Sequence, residues 1–541
     1  MFMASESEGN SKLNNSLKLI AKTSFIVLVG LSLSKIFTYL YRIIVARYFG
    51  PEVYGVFSLA LIILNLFLAA ASLGLSDGIL RFVSISRGKK QSKKIEHIIK
   101  FSLIASIVSS ITASVILFIF SEYISITLLH NPQLISYLKI FSFMIPFSVL
   151  SNIFLSSLRA YEKINLYSFL QNILQPGIRL VFLILLIFLG IQSNPVAYSY
   201  VLSAIIFLGM AYFVFKYGLP KIFINSPMRI KERKELSRNL IRYSWPIIFT
   251  GVISSFLWWI DSLFIGYFMN VADVGIYNSA IPIVALLAIA PELFMQLFSP
   301  MINRAYSKSD FSLIRELTKQ VSKWILIINL PAFILMLVFP GILINLLFGQ
   351  EYIGAEFSLR VLAIGGIISS VFGICSYLLS MLGKSKLILI DLLMVSMLNI
   401  LLNFLLIPGY GIGGAAIATL VCIIFLMTLL LWQSKIYLNV LPLRRKMISL
   451  IAIGLFISAI SLILDKLVNA TFFSLILLGM IITIVYFILL FATKSLDKND
   501  WMILNTILNK FNLRKIFLDK FYIKKIWVID AFSHQKSLKT S

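Results

Sequence analysis

The chain has 541 residues, of which 59% are hydrophobic and only 13% charged, with a formal net charge of +26. A soluble domain of this size carries about twice that share of charge, so a soluble or secreted protein is excluded. The surplus of Lys and Arg is read from its placement between apolar blocks, as topology rather than as nucleic-acid binding.

The first residues are polar and end in lysines. They read as a cytoplasmic tail (1–23) ahead of a retained span, because no small-residue cleavage site follows. Apolar blocks of about 18–25 residues, the length that crosses a ~30 Å hydrocarbon core, then predict about fourteen transmembrane helices. They fall at 24–46, 54–79, 98–120, 135–157, 166–189, 196–216, 243–266, 274–299, 324–347, 357–381, 386–407, 412–433, 447–465 and 472–492. The fold class is an all-α polytopic membrane protein. An N-lobe of six spans (24–216) is joined by a basic cytoplasmic linker (217–242) to a C-lobe of six spans (243–436), and a final helix pair (447–493) follows. In the tail 494–541 apolar residues mix with lysines at loosely helical spacing. This predicts a basic amphipathic helix on the anionic cytoplasmic leaflet.

The loops alternate in charge. Those near Lys89, Lys90, Lys93 and Lys94, near Arg229, Lys231, Arg233 and Lys234, near Arg304, Lys308 and Arg315, and near Lys435, Arg444 and Arg445 are basic. The intervening loops are short and lack Lys and Arg, with Arg47 and Lys466 as exceptions. The positive-inside rule puts both termini in the cytoplasm and the protein in the cytoplasmic membrane. The sequon Asn469-Ala470-Thr471 then falls on the outer side, close to the membrane.

Residues 47–60, RYFGPEVYGVFSLA, recur as 266–280, GYFMNVADVGIYNSA. Gly55, Phe57 and Ala60 match Gly275, Tyr277 and Ala280; Lys163 corresponds to Lys384, and Gly190-Ile191 to Gly411-Ile412. Each repeat holds an even number of spans, so both enter the membrane in the same orientation. A pseudo-two-fold axis along the membrane normal must relate them. Two such bundles leave a cleft near the midplane that rocking opens to one side and then the other.

Ionisable groups at membrane depth are costly and face protein-lined cavities. Lys35 and Arg42 are seven residues apart on one face of span 1, and Asn172, Gln175 and Arg179 form a stripe on span 5, which Pro176-Gly177 could kink. Glu292, Gln296, Ser299 and Asn303 share a face of span 8; Asp391, Asn399 and Asn403 share one on span 11. Lys35, Arg42 and Arg179, with Gln175, would make a cationic cavity suited to a phosphate. Alternatively, Lys35 or Arg179 pairs with Asp261 or Asp391 to hold helices together. Glu292 and Asp391 are candidates for carrying coupling protons or cations. Arg42 and Asp261 are equivalent under the repeat and opposite in charge. That predicts a gate in which they meet across the cleft.

Two segments carry a family resemblance. ARYFGPEVYGVFSLALII with ASLGLSDGILRF, and LNILLNFLLIPGYGIGGAAIATLV at the turn between spans 11 and 12, resemble Wzx-type polysaccharide-biosynthesis flippases of the multidrug/oligosaccharidyl-lipid/polysaccharide exporter superfamily. The resemblance implies two six-helix lobes in a V, an added helix pair, and movement of an oligosaccharide linked to polyprenyl phosphate or diphosphate from the cytoplasmic to the outer leaflet. It also implies contact with membrane lipid and with the glycosyltransferases or polymerase of glycan assembly, and no cofactor, metal or catalytic residue. Related peptidoglycan-precursor flippases use arginines in their first helices, and Lys35, Arg42 and Arg81 look like their counterparts.

The competing readings are a cation-coupled multidrug exporter of the same superfamily, a membrane glycosyltransferase or polymerase, and a non-transporting scaffold. The first usually has twelve spans and an acidic cavity. The second needs acidic motifs on large outer loops. The third has no need of intramembrane cations on facing stripes.

Overall fold

A chain in hydrocarbon must satisfy every backbone N–H and C=O internally, which for apolar blocks of this length means helices. The computed structural model describes residues 2–191, 194–219, 228–465, 472–493 and 495, and among these there is no strand. The sequon at Asn469 and the amphipathic tail 494–541 (Ser495 aside) lie outside the described residues, as do Lys221 and Lys466.

The first repeat comprises α1 (Phe2–Ala71), α2 (Leu75–Gly88), α3 (Ser92–Glu122), α4 (Gln133–Ala160), α5 (Ile164–Ser168), α6 (Gln175–Phe188) and α7 (Pro195–Gly218). The second comprises α8 (Ile230–Phe268), α9 (Val271–Val284), α10 (Ile289–Ser307), α11 (Phe311–Val338), α12 (Pro340–Leu347), α13 (Glu356–Phe372), α14 (Ile374–Met381) and α15 (Ser385–Leu438). Helices α16 (Arg445–Asp465) and α17 (Phe472–Ala492) follow.

Several boundaries differ from the sequence reading, each for a local reason. Predicted spans 1 and 2 belong to one helical run broken at Gly50 (φ 80°), and spans 11 and 12 to one broken at Gly411 (φ 57°). Both glycines adopt conformations that L-residues resist. Span 2 is interrupted at Leu73 and Gly74, both with positive φ. Span 5 is irregular ahead of Pro176, where a π-helical turn (Phe169–Leu174) precedes α6. Span 9 divides at Pro340, which opens α12.

The repeat is visible in the backbone. Left-handed residues recur at the predicted offset: Lys90 with Ser309 and His130 with Gly349, each 219 apart, and Glu162 with Gly383 and Gly190 with Gly411, each 221 apart. These close equivalent turns in the two lobes. The axis passes near Gly55 and Gly275. A Cβ on Gly55 would strike the Val271 carbonyl and one on Gly275 the Pro51 carbonyl, a reciprocal contact between equivalent residues. Only glycine permits so close a crossing of α1 and α9.

The two ends of the molecule are packed differently. At the end away from the basic loops, one apolar core runs through both lobes; Tyr54, Phe57 and Leu134 of the first join Tyr277, Phe348 and Tyr352 of the second. Toward the basic end the cores separate. Leu75, Ile79, Ile98 and Phe154 pack in the first lobe, joined from the second by Leu240, while Ile325, Ile334, Leu379 and Leu430 pack in the second with α16 and α17. The last pair is tied down by Arg444, which reaches Gln320 (2.6 Å) and Glu316 (2.7 Å) on α11.

Candidate functional site

Three clusters of charged groups stand out at membrane depth. The first belongs to the N-lobe. The kink at Gly50 directs the arm of α1 before it along the second lobe, and Arg42 on that arm faces Trp259 of α8, 5.9 Å from the ring. The Tyr54 hydroxyl and Tyr200 also face its guanidinium. Arg179 on α6 stacks 3.8 Å over Tyr200, and its buried Nε has no hydrogen-bond partner. Each arginine thus faces an aromatic ring, Arg42 that of Trp259 and Arg179 that of Tyr200. Among the described residues no carboxylate pairs with either. Aromatic faces stabilise such cations by about 1–2 kcal/mol when desolvated and leave the guanidinium N–H groups available to an anion. Tyr41 completes the cluster, its hydroxyl 2.7 Å from Ser199 Oγ.

The second cluster lies wholly within the C-lobe. The Asp261 carboxylate accepts hydrogen bonds from the Tyr277 hydroxyl (2.8 Å), Asn403 Nδ2 (2.8 Å) and the Thr419 hydroxyl. Asn403 Nδ2 also donates to Asn399 Oδ1 at 2.9 Å, and Asn403 Oδ1 is buried without a partner. Several oxygens surround a single carboxylate in a site with one orphan acceptor, which suits a proton or a monovalent cation better than a divalent metal. Among the described residues no three His, Cys, Asp or Glu side chains are grouped to hold a metal.

These clusters lie at equivalent places in the two repeats. Arg42 and Asp261 are 219 residues apart and Phe57 and Tyr277 are 220 apart. The N-lobe version is cationic and the C-lobe version anionic.

The third cluster bridges the lobes: Lys35 Nζ on α1 lies 2.8 Å from Glu292 Oε2 on α10. This is neither of the pairings considered for Lys35 from sequence. Asp391 is also accounted for differently. Buried in α15, it accepts two hydrogen bonds from Gln433 Nε2 (2.9 and 2.8 Å), apart from Asn399 and Asn403. Gln175 sits at the start of α6, next to the π-helical turn. Arg81 is remote from Arg42, exposed on α2 with its guanidinium 4.4 Å from the Tyr243 ring of α8.

The anticipated Arg42–Asp261 contact is not made in this structure. The arms of α1 and α8 away from the basic loops do meet, but at Trp259. Residues 259 and 261 are about 200° apart around a helix, so when Trp259 faces α1 the carboxylate turns into its own lobe. Arg47, the basic exception among the outer loops, also has a local role. Its Nε donates to the Leu347 carbonyl (3.0 Å) and its Nη2 to those of Asn345 (3.2 Å) and Leu346, capping the C-terminus of α12 across the lobe boundary.

Two pseudo-symmetric helical lobes that meet around opposed charges at membrane depth define a polytopic membrane transporter. Sequence comparison gives the family. The polysaccharide biosynthesis protein model matches residues 20–302, and the chain belongs to that family; the MatE model matches residues 246–405. An uncharacterized membrane protein of Methanocaldococcus jannaschii, MJ1068, is 24% identical over 85% of this chain and 92% of its own length. A Haloferax volcanii protein named as a low-salt glycan biosynthesis flippase, Agl15, is 27% identical over 43% of this chain and 48% of its own. A Shigella flexneri protein named as an O-antigen transporter is 23% identical over 72% and 91%. Among solved structures, lipid II flippase MurJ in an inward closed conformation superposes with a TM-score of 0.65 at 18% identity, covering 85% of this chain and 98% of that one. An inward-facing MATE family multidrug transporter superposes at 0.64 with 15% identity, covering 76% and 98%. Both share the two-lobe fold.

Proposed function

We propose that the protein is a flippase that moves a lipid-linked oligosaccharide, carried on a polyprenyl phosphate or diphosphate, from the cytoplasmic to the outer leaflet of the cytoplasmic membrane by alternating access. The relatives named for glycan flipping and O-antigen transport support the substrate class. One observation carries the reading in this chain: Arg42 faces Trp259 and Arg179 stacks on Tyr200, and among the described residues no carboxylate pairs with either. Guanidinium groups held this way at membrane depth match the charge and bidentate geometry of a phosphate.

With the basic loops and both termini in the cytoplasm, the end where the cores separate faces inward. The N-lobe, the C-lobe and the final pair then act as three units joined by the basic linker 217–242. The headgroup enters beside Lys35 and Glu292 and reaches Arg42 and Arg179, while the sugars remain in the wet space between the lobes and the prenyl chain in the bilayer. Asp261, held ready by Asn399, Asn403, Thr419 and Tyr277, takes the proton or monovalent cation that drives the return. No covalent chemistry is involved. Glycosyltransferases or a polymerase would supply and consume the substrate on either side.

The test is reconstitution into proteoliposomes with a fluorescent polyprenyl-diphosphate oligosaccharide. The reading predicts protein-dependent movement of the intact molecule, measured by loss of leaflet protection with no change in glycan mass. Movement only of cationic drugs would establish the exporter reading. A change in glycan mass would establish an enzyme.

A further inference from the structure

A separate site lies at the basic end. Between α3 and the first turns of α8 is a cavity of about 730 Å³, walled on one side by His97 and Phe101. His97 Nε2 lies 2.9 Å from Ser237 Oγ and 3.2 Å from the Arg233 carbonyl oxygen, which fixes α3 of the first lobe against α8 of the second. The α8 wall carries four cations, Arg233, Lys234, Arg238 and Arg242. All four are exposed, and among the described residues none is in an ion pair. Lys234, Arg238 and Arg242 follow at intervals of four and so share a face.

The same stripe changes character along the helix. Ile241, between Arg238 and Arg242, and Trp245 also line the cavity, and Phe249 follows a turn further on. These are 51%, 53% and 56% exposed, and Trp245 packs edge-on against Phe249 with ring centroids 5.6 Å apart. Phe249 lies roughly 16 Å beyond Arg238 at 1.5 Å per residue. Cations at headgroup depth, then an indole, then exposed apolar side chains reproduce the polarity profile of half a bilayer. The opposite face of α8 is already occupied. Tyr243 packs on Arg81 and Phe82 of α2, and Gly74 and Gly78 lie close against Leu240, Ser244 and Ile247.

We infer that this cavity binds the phosphate headgroup of a membrane lipid, with the lipid chain lying along Ile241, Trp245 and Phe249. The matching chemistry is an anionic phosphate on a long apolar chain. Bulk anionic phospholipid and a polyprenyl phosphate both offer it. The site is distinct from the Arg42–Arg179 cluster, and its occupancy does not depend on transport. Because His97 belongs to the first lobe and the cations to the second, a bound headgroup would sit on the lobe junction.

Native mass spectrometry of the full-length protein tests this, titrating phosphatidylglycerol, polyprenyl phosphate, phosphatidylcholine and inorganic phosphate in separate arms. The wild type is expected to retain one or both anionic lipids at least tenfold more tightly than phosphatidylcholine, and the stronger arm identifies the source. Arg238→Gln with Arg242→Gln should lower that affinity at least tenfold. Arg238→Lys with Arg242→Lys should keep most of it, which separates charge from misfolding. In the phosphatidylglycerol arm, the double variant Arg42→Gln with Arg179→Gln should retain the lipid as the wild type does. Equal retention by wild type and the Arg238/Arg242 glutamine variant would overturn the inference. So would loss of phosphatidylglycerol only in the Arg42/Arg179 variant, or displacement by equimolar inorganic phosphate.

Discussion

The two lobes place opposite charges at one structural address. In the N-lobe the address is occupied by Arg42 and Phe57, with Arg42 and nearby Arg179 resting on aromatic rings. In the C-lobe it is occupied by Asp261 and Tyr277, with the carboxylate held by hydrogen bonds from Tyr277, Asn403 and Thr419. A cation stacked on tyrosine remains able to bind an outside anion. A carboxylate held by three donors in its own lobe is closed to a large ligand and open only to a proton or a small cation. The repeat thus carries opposite charges at the equivalent positions 42 and 261 of the two lobes.

That contrast can be broken one lobe at a time. The largest effect is expected from Arg42→Gln with Arg179→Gln. Each charge-assisted contact with a phosphate contributes about 1.5–3 kcal/mol, so flipping should fall by a factor of 100 or more in the proteoliposome assay. Thermal stability should fall by at most about 2–4 kcal/mol, the share of the two cation–aromatic contacts, because no carboxylate loses its partner.

Asp261 should behave in the reverse way. Asp261→Ala strands three donors and should lower stability by on the order of 3 kcal/mol, read as a drop in unfolding temperature. Asp261→Asn keeps the packing but not the charge. Turnover should fall roughly tenfold and lose its response to the driving ion gradient, while substrate binding stays near wild type; about one decade corresponds to ~1.4 kcal/mol.

Gly275→Ala addresses the lobe junction. The added methyl meets the Pro51 carbonyl and sits 3.0 Å from the Gly55 amide nitrogen, both backbone. Overpacking of this kind costs about 1–3 kcal/mol. The cost falls on the state in which this end is closed, so cysteine accessibility at that end should rise. The smallest effect is expected at the Lys35–Glu292 bridge, whose side chains are 25% and 48% exposed. Such pairs contribute at most about 1 kcal/mol, so Lys35→Ala should shift inward accessibility no more than about fivefold.

Much of this was legible in the chain. Apolar block length gave the helices, and the RYFGPEVYGVFSLA repeat gave the two lobes and the equivalence of Arg42 with Asp261. Side-chain direction was not legible. The repeat offset puts Arg42 and Asp261 at one depth, but only the rotation of α8 shows that Trp259, not Asp261, faces α1. The partners of Asp261 were within reach. Asn399, Asn403 and Thr419 all lie in the LNILLNFLLIPGYGIGGAAIATLV segment that carries the family resemblance, and the fold shows that one purpose of that segment is to surround a carboxylate on another helix. The Lys35–Glu292 pair joins residues 257 apart and left no mark in local periodicity. The π-helical turn before Gln175 defeats the regular spacing on which the Asn172–Gln175–Arg179 stripe was drawn.

The central claim is that the N-lobe arginines recognise the phosphate of the lipid carrier. It is tested most directly by measuring, in one proteoliposome preparation, flipping of the same oligosaccharide on a polyprenyl diphosphate and on an uncharged polyprenol. The wild type should move the diphosphate-linked form at least 100-fold faster, and the Arg42→Gln, Arg179→Gln variant should reduce that ratio to near one. Equal movement of the two substrates by the wild type, or an unchanged ratio in the variant, would contradict it.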